Sequence, residues 1–139
     1  MASFQDCATP AGVLRIRIAD HFVARALGLL VGAPLDLAEG LLIAPCASIH
    51  TIGMRYPIDV VFIDREARVL RVCAEVRAGR MRFAPSARGV LELRARVAAQ
   101  QGLVPGVRLP ELAAALDLSE ASRENASGRY RSTGQRGPQ

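Results

Sequence analysis

Leu14-Arg-Ile-Arg-Ile18 alternates apolar and charged side chains at period two, the mark of a strand with one face buried and one wet. Asp20 then stands where an N-cap belongs, and Phe22, Val23, Ala26, Leu27 and Leu30 follow at helical spacing with Arg25 off that stripe. The spacing predicts a short amphipathic helix over His21–Leu30, ended by Gly32 and Pro34. Leu41-Leu-Ile-Ala44 reads as a short buried strand stopped by Pro45, and Ser48-Ile-His-Thr-Ile52 alternates again. Ile58-Asp-Val-Val-Phe-Ile63 is apolar at every place but one, as expected of a strand covered on both faces. Residues 69–76 set Leu70, Val72, Ala74 and Val76 against Arg71, Cys73 and Glu75, and the three runs from Ser48 to Val76 are expected to form a meander.

Residues 77–88 hold Gly79 and Pro85 and follow neither period, which predicts an Arg-rich loop. Val90-Leu-Glu-Leu93 is a last clear strand, residues 96–101 make a helical turn or two ended by Gly102, and Pro110 opens a helix running to Leu116. From Ser119 to Gln139 the chain is Ser, Arg, Gly, Gln and Glu with one aromatic, too little apolar surface to offset ordering entropy. The expected organisation is therefore one domain over 1–118 and a disordered tail over 119–139.

Composition narrows the classes. A chain of 139 residues, half of them hydrophobic, has room for one core and is not a disordered polymer. Three widely spaced Cys offer no disulfide pattern. All 18 basic residues are Arg, and the net charge of +5 gives a mild pull toward an anionic partner. Met1 to Pro10 lacks the basic and apolar regions of a secretory signal, and no apolar run is long enough for a membrane span, so a cytoplasmic protein with free thiols is expected. No Gly-rich phosphate loop, Walker pattern or G-x-S-x-G elbow is present, and no cofactor is implied.

The stretch Ile49-His-Thr-Ile-Gly-Met-Arg-Tyr-Pro-Ile-Asp-Val-Val-Phe-Ile-Asp64 resembles the core motif of DUF192, also called UPF0127, a family of uncharacterised small bacterial proteins. Arg25-Ala-Leu-Gly-Leu-Leu30 resembles the family's Arg-x-x-Gly-Leu-Met helix with Leu30 in the Met place, and Val90-Leu-Glu-Leu93 its late strand. The resemblance implies a compact α+β domain: a curved, barrel-like, mixed or antiparallel sheet of short strands with one or two short helices, and no established activity. Ala67 stands where the family has a turn Gly, Arg94-Ala-Arg96 replaces a small, Gly-containing segment, and Gly106-Val-Arg-Leu109 lacks the family's Asp after Gly.

Candidate chemistry gathers in the same motif. An imidazole is a general base or ligand in many sites, and His50 lies close in sequence to Arg55 and Asp59. Asp59 interrupts an apolar strand, where an unpaired carboxylate would be costly, so it needs partners: His50, Thr51, Arg55 or the amides of residues 53–56. The expected reading is a binding module for a small anionic ligand or a protein partner, with Arg25, His50, Thr51, Met54, Arg55 and Asp59 around its pocket. The alternative is an enzyme using His50 and Asp59 as an acid/base pair on a small anionic substrate. Cys46-x-x-x-His50 falls short of a metal ligand set, so no metal is assigned. Arg77, Arg80, Arg82 and Arg88 have only Phe83 as a stacking face nearby, which argues against nucleic acid.

Overall fold

The computed structural model describes residues 3–19, 35–118, 121, 124 and 125. Among the described residues eight strands run β1 (Ser3–Thr9), β2 (Gly12–Ala19), β3 (Glu39–Ile43), β4 (Ser48–His50), β5 (Ile58–Ile63), β6 (Val69–Val76), β7 (Met81–Phe83) and β8 (Gly89–Arg94). A short helix α1 (Val97–Gln100), a 3-10 turn (Pro110–Leu112) and a helical stretch over 113–118 follow. The helix expected over His21–Leu30, Arg25 with it, and all but three residues of the expected tail lie outside the described residues.

Six strands form one mixed sheet in the order β1-β2-β3-β8-β5-β6. Only β2 and β3 pair in parallel; the other neighbours are antiparallel. The α+β architecture is as expected, but the sheet is open, with β1 and β6 at its two edges, so "barrel-like" describes its shape only loosely.

The interior strands carry a core on each face. Leu14, Ile16, Leu42, Val61, Ile63, Leu91 and Leu93 pack under Val97, Ala98, Leu109, Leu112 and Leu116. Leu41, Ile43, Ile58, Val60, Phe62 and Val90 face the other way, where Ile49, Met54 and Tyr56 rest on them. This is why β5 is buried at all six positions, and each such large side chain contributes about 1.5–3 kcal/mol. Gly40 belongs to the same packing, since a Cβ there would stand 2.7 Å from Leu93 Cδ2.

The meander is corrected. β5 and β6 form a hairpin, but β4 leaves the main sheet and pairs with β7 in a separate two-stranded ribbon. The place beside β5 goes to β8, whose apolar side chains suit a slot covered on both faces, whereas Ser48, His50 and Ile52 do not. Within the expected loop over 77–88 lies β7, too short to announce itself by period; Ala84 N–H to Ala47 O at 2.9 Å extends its pairing with β4.

Candidate functional site

Strand alternation divides the motif between the two faces of the sheet. Ile58 and Val60 point toward the ribbon, so Asp59 between them points toward α1, opposite Leu93 of β8. It has no exposed surface. Its Oδ1 accepts the Glu75 N–H and its Oδ2 the Ala98 N–H, each at 2.9 Å. Both donors are amides that local structure leaves over. The β5/β6 register shifts between Ile58↔Val76 and Val60↔Cys73, and Glu75 in that bulge is left-handed at φ 49. Ala98 lies in the first turn of α1, whose N-cap Arg96, at φ 78, offers no side-chain cap. Asp59 supplies that cap from the sheet. The expected partners His50, Thr51, Arg55 and the 53–56 amides are thus corrected to Glu75 and Ala98. An exposed Arg96 Nε to Glu75 Oε1 contact of 3.1 Å links the two left-handed residues from outside and adds little.

His50 is exposed on β4, opposite Met81, and among the described residues it has no hydrogen bond or ion pair. A solvent-facing imidazole on the ribbon and a buried carboxylate under α1 with both oxygens occupied do not make an acid/base pair.

Thr51 is buried and acts as a clasp. Its hydroxyl donates to Arg77 O at 2.6 Å and accepts the Arg80 N–H at 2.9 Å, while its own N–H donates to Arg80 O at 2.8 Å. Its carbonyl takes Gly79 N–H and Met54 N–H at 3.0 and 3.1 Å. Gly79, at φ 77, lets the chain turn tightly enough to be held in this way. Met54 and Tyr56 sit half-buried on the second core, and Arg55 between them projects into solvent.

A residue that sequence reasoning passed over is Glu92. It lies opposite Leu41 and Val60, hence on the ribbon side, and is 6% exposed with no hydrogen bond among the described residues. Burial pushes its carboxyl up to about 7. Among the described residues the buried Tyr56 hydroxyl has no hydrogen-bond partner, and its pKa is raised by burial first and by Glu92 second. The signal was an acid in the apolar run Val90-Leu-Glu-Leu93, the same kind of signal that singled out Asp59.

The ribbon turns Ile49 and Arg82 inward and presents Ser48, His50, Met81 and Phe83 outward. Arg71 Nη1, from β6, reaches across to Phe83 O of β7 at 2.9 Å, whereas Arg82 Nη1 bonds the carbonyl of its own neighbour Met81 at 2.8 Å. Residues 46–58 and 77–88, the ribbon with its adjoining loops, hold five of the 18 Arg and none of the 13 acids. The other 13 Arg balance the acids, so this unit accounts for the whole net charge of +5.

An open cleft of about 580 Å³ lies at the other end of β5, lined among others by Asp64, Arg65, Glu66, Ser86 and Arg88; none of the residues expected around a pocket lines it. Cys7, Cys46 and Cys73 are buried and free. Cys46 Sγ donates to Ser48 O at 2.9 Å, and the Cys7 thiol is pushed up to about 12 by burial and by the neighbouring Glu111. A thiol raised in this way, as at Cys7, is not poised as a nucleophile. Among the described residues no cluster of His, Cys, Asp and Glu is large enough to hold a metal, and no helix is long and apolar enough to cross a membrane.

The family model that matches is DUF192, described as an uncharacterized ACR, over residues 6–110. Two solved structures are similar. A protein of unknown function from Novosphingobium aromaticivorans DSM 12444 is 24% identical with a TM-score of 0.65, covering 76% of this chain and 81% of its own. A candidate transcription regulator from Sinorhizobium meliloti 1021 is 19% identical with a TM-score of 0.67, covering 78% of this chain and 92% of its own. At these identities the likeness is one of fold. No curated protein matches.

Proposed function

The chain belongs to the DUF192 family, and within that fold we propose that it is a binding module which holds an anionic ligand or partner on the ribbon side of the sheet. One observation carries the reading: the ribbon and its loops account for the entire net positive charge, with Arg55, Arg77 and Arg80 exposed and no acid among them. Such a one-signed surface attracts anions and steers their approach. Of the residues expected at the site, His50 and Arg55 are the contact groups, Thr51 holds the ribbon in place and Met54 seats it on the core. Asp59 supports the fold from the opposite face, and Arg25 enters the proposal from sequence alone. A cytoplasmic setting in which the three cysteines are thiols is part of the same reading.

The test is a thermal-shift panel of inorganic phosphate, citrate and poly-L-glutamate on wild type, Arg55→Gln, Arg80→Gln and the control Arg108→Gln, whose side chain is exposed outside the ribbon. A ligand that binds the native state raises the melting temperature by mass action. At least one anion should stabilise wild type and the control alike, and the gain should shrink in the two ribbon variants. Equal shifts in all four proteins would overturn the proposal.

A further inference from the structure

Ile52, Met81 and Phe83 are 62%, 66% and 59% exposed. Singly, exposed apolar side chains need no explanation. Here two of them stand on one face of a three-residue strand, and the third sits just past the end of the strand paired with it. Exposed Arg55, Arg77 and Arg80 lie on the adjoining loops.

We propose that the outward face of the β4–β7 ribbon is a docking surface for an acidic segment of a partner protein, anchored by an apolar side chain of that segment seated on Ile52, Met81 and Phe83. The proposal rests on the binding-module reading and deepens it by naming the partner's chemistry. Met, Phe and Arg are residue types enriched at protein interfaces, and guanidinium forks match carboxylates in geometry as well as charge. The surface is also ready to bind. The Thr51 clasp and the bond from Arg71 to Phe83 O hold the ribbon's backbone, and Ile49 plugs it into the core, so docking need not order it.

Two other anionic partners fit less well. Nucleic acid would use the arginines and stack on Phe83 and His50, but leaves Ile52 and Met81 without a role. Insertion of this face into an anionic membrane would carry His50 and Ser48, which share it with Met81 and Phe83, into a layer that offers them no hydrogen-bond partners. A peptide covers the same apolar atoms and supplies donors and acceptors to both.

The experiment selects a displayed library of random peptides on the full chain. Enriched peptides are then titrated into wild type, Phe83→Ser, Met81→Ser, Arg55→Gln and Arg108→Gln, each first shown by its melting curve to be folded. Single-stranded DNA and phosphatidylserine vesicles are titrated in parallel. Enriched peptides should combine Asp or Glu with a large apolar residue, and their affinity should fall about tenfold or more in the first three variants while Arg108→Gln binds as wild type does. Peptides indifferent to the ribbon variants would overturn the proposal. Ribbon-dependent binding of DNA or vesicles without any peptide would overturn the partner while sparing the binding module. No ribbon-dependent binding by any probe would overturn both.

Discussion

The Asp59 carboxylate and the Ala98 amide meet at 2.9 Å, so that an acid embedded in the sheet caps a helix with no side-chain cap of its own. The other carboxylate oxygen holds the Glu75 amide at the bulge in β6. Asp59→Ala should cost about 1–3 kcal/mol for each amide it orphans. Asp59→Asn keeps one acceptor but turns an NH2 group toward the other N–H, and should lose a substantial part of the same stability. Urea unfolding measures both. Unchanged midpoints in the two variants would mean that the carboxylate does not hold the fold.

Glu92 makes the stability depend on pH with a definite sign. Its folded pKa is raised from the ordinary 4.5 to about 7, so the native state binds the proton more tightly than the unfolded chain. No penalty exists below pH 4.5; it grows as pH rises through the window up to about 7 and is constant above it. Glu92→Gln, which cannot ionise, should match wild type near the acid end and exceed it above pH 7 by about 3 kcal/mol, as a shift of this size implies. Chemical denaturation at intervals from pH 4 to 8 checks this, and parallel curves for the two proteins would contradict it.

Thr51 should matter through its hydroxyl more than its bulk. Thr51→Val keeps the shape but strips Arg77 O and the Arg80 N–H of a partner, and should destabilise by about 1–3 kcal/mol. Thr51→Ser retains both bonds and loses one methyl, at about 0.8 kcal/mol. Amide hydrogen exchange adds a local readout: Thr51→Val should speed exchange at Arg82 and Ala84 more than in β5. Equal effects of Val and Ser would show the hydroxyl to be idle.

The strands legible in the sequence are those whose burial is strongest. Ile58–Ile63 and Val69–Val76 are strands over the bounds their patterns give. The faces expected of Val69–Val76 are corrected: the shift in register toward Glu75 breaks the alternation, so that Cys73 and Val76 are buried on the ribbon side, Val72 packs on the opposite core and Ala74 is exposed. The partner of Ser48–His50 is not written in its own alternation, which says half-buried and no more. β1 carries no period: Phe4 is exposed, Cys7 buried, and pairing with β2 holds it in place. Ala67 adopts the left-handed turn despite its side chain, at φ 60, with the methyl wholly buried in the core and Asp64 Oδ1 holding the amides of Glu66 and Arg68 around it. At the site, the need of Asp59 for partners was legible but their identity was not. The donors arise from a bulge and a helix start that exist only once β6 and α1 have packed on β5. His50 and Asp59 are close in sequence, yet β5 turns the acid to the far face.

The central claim, that the ribbon binds while the opposite face supports, is tested most directly by titrating poly-L-glutamate into isotope-labelled protein and mapping the amide shifts. The account predicts perturbations concentrated at residues 48–56 and 77–83, strongest around Ile52, Arg55 and Met81, with Asp59, Glu75 and Ala98 unmoved. Shifts centred on Asp59 and Ala98, or on the cleft at Asp64 to Glu66, would contradict it.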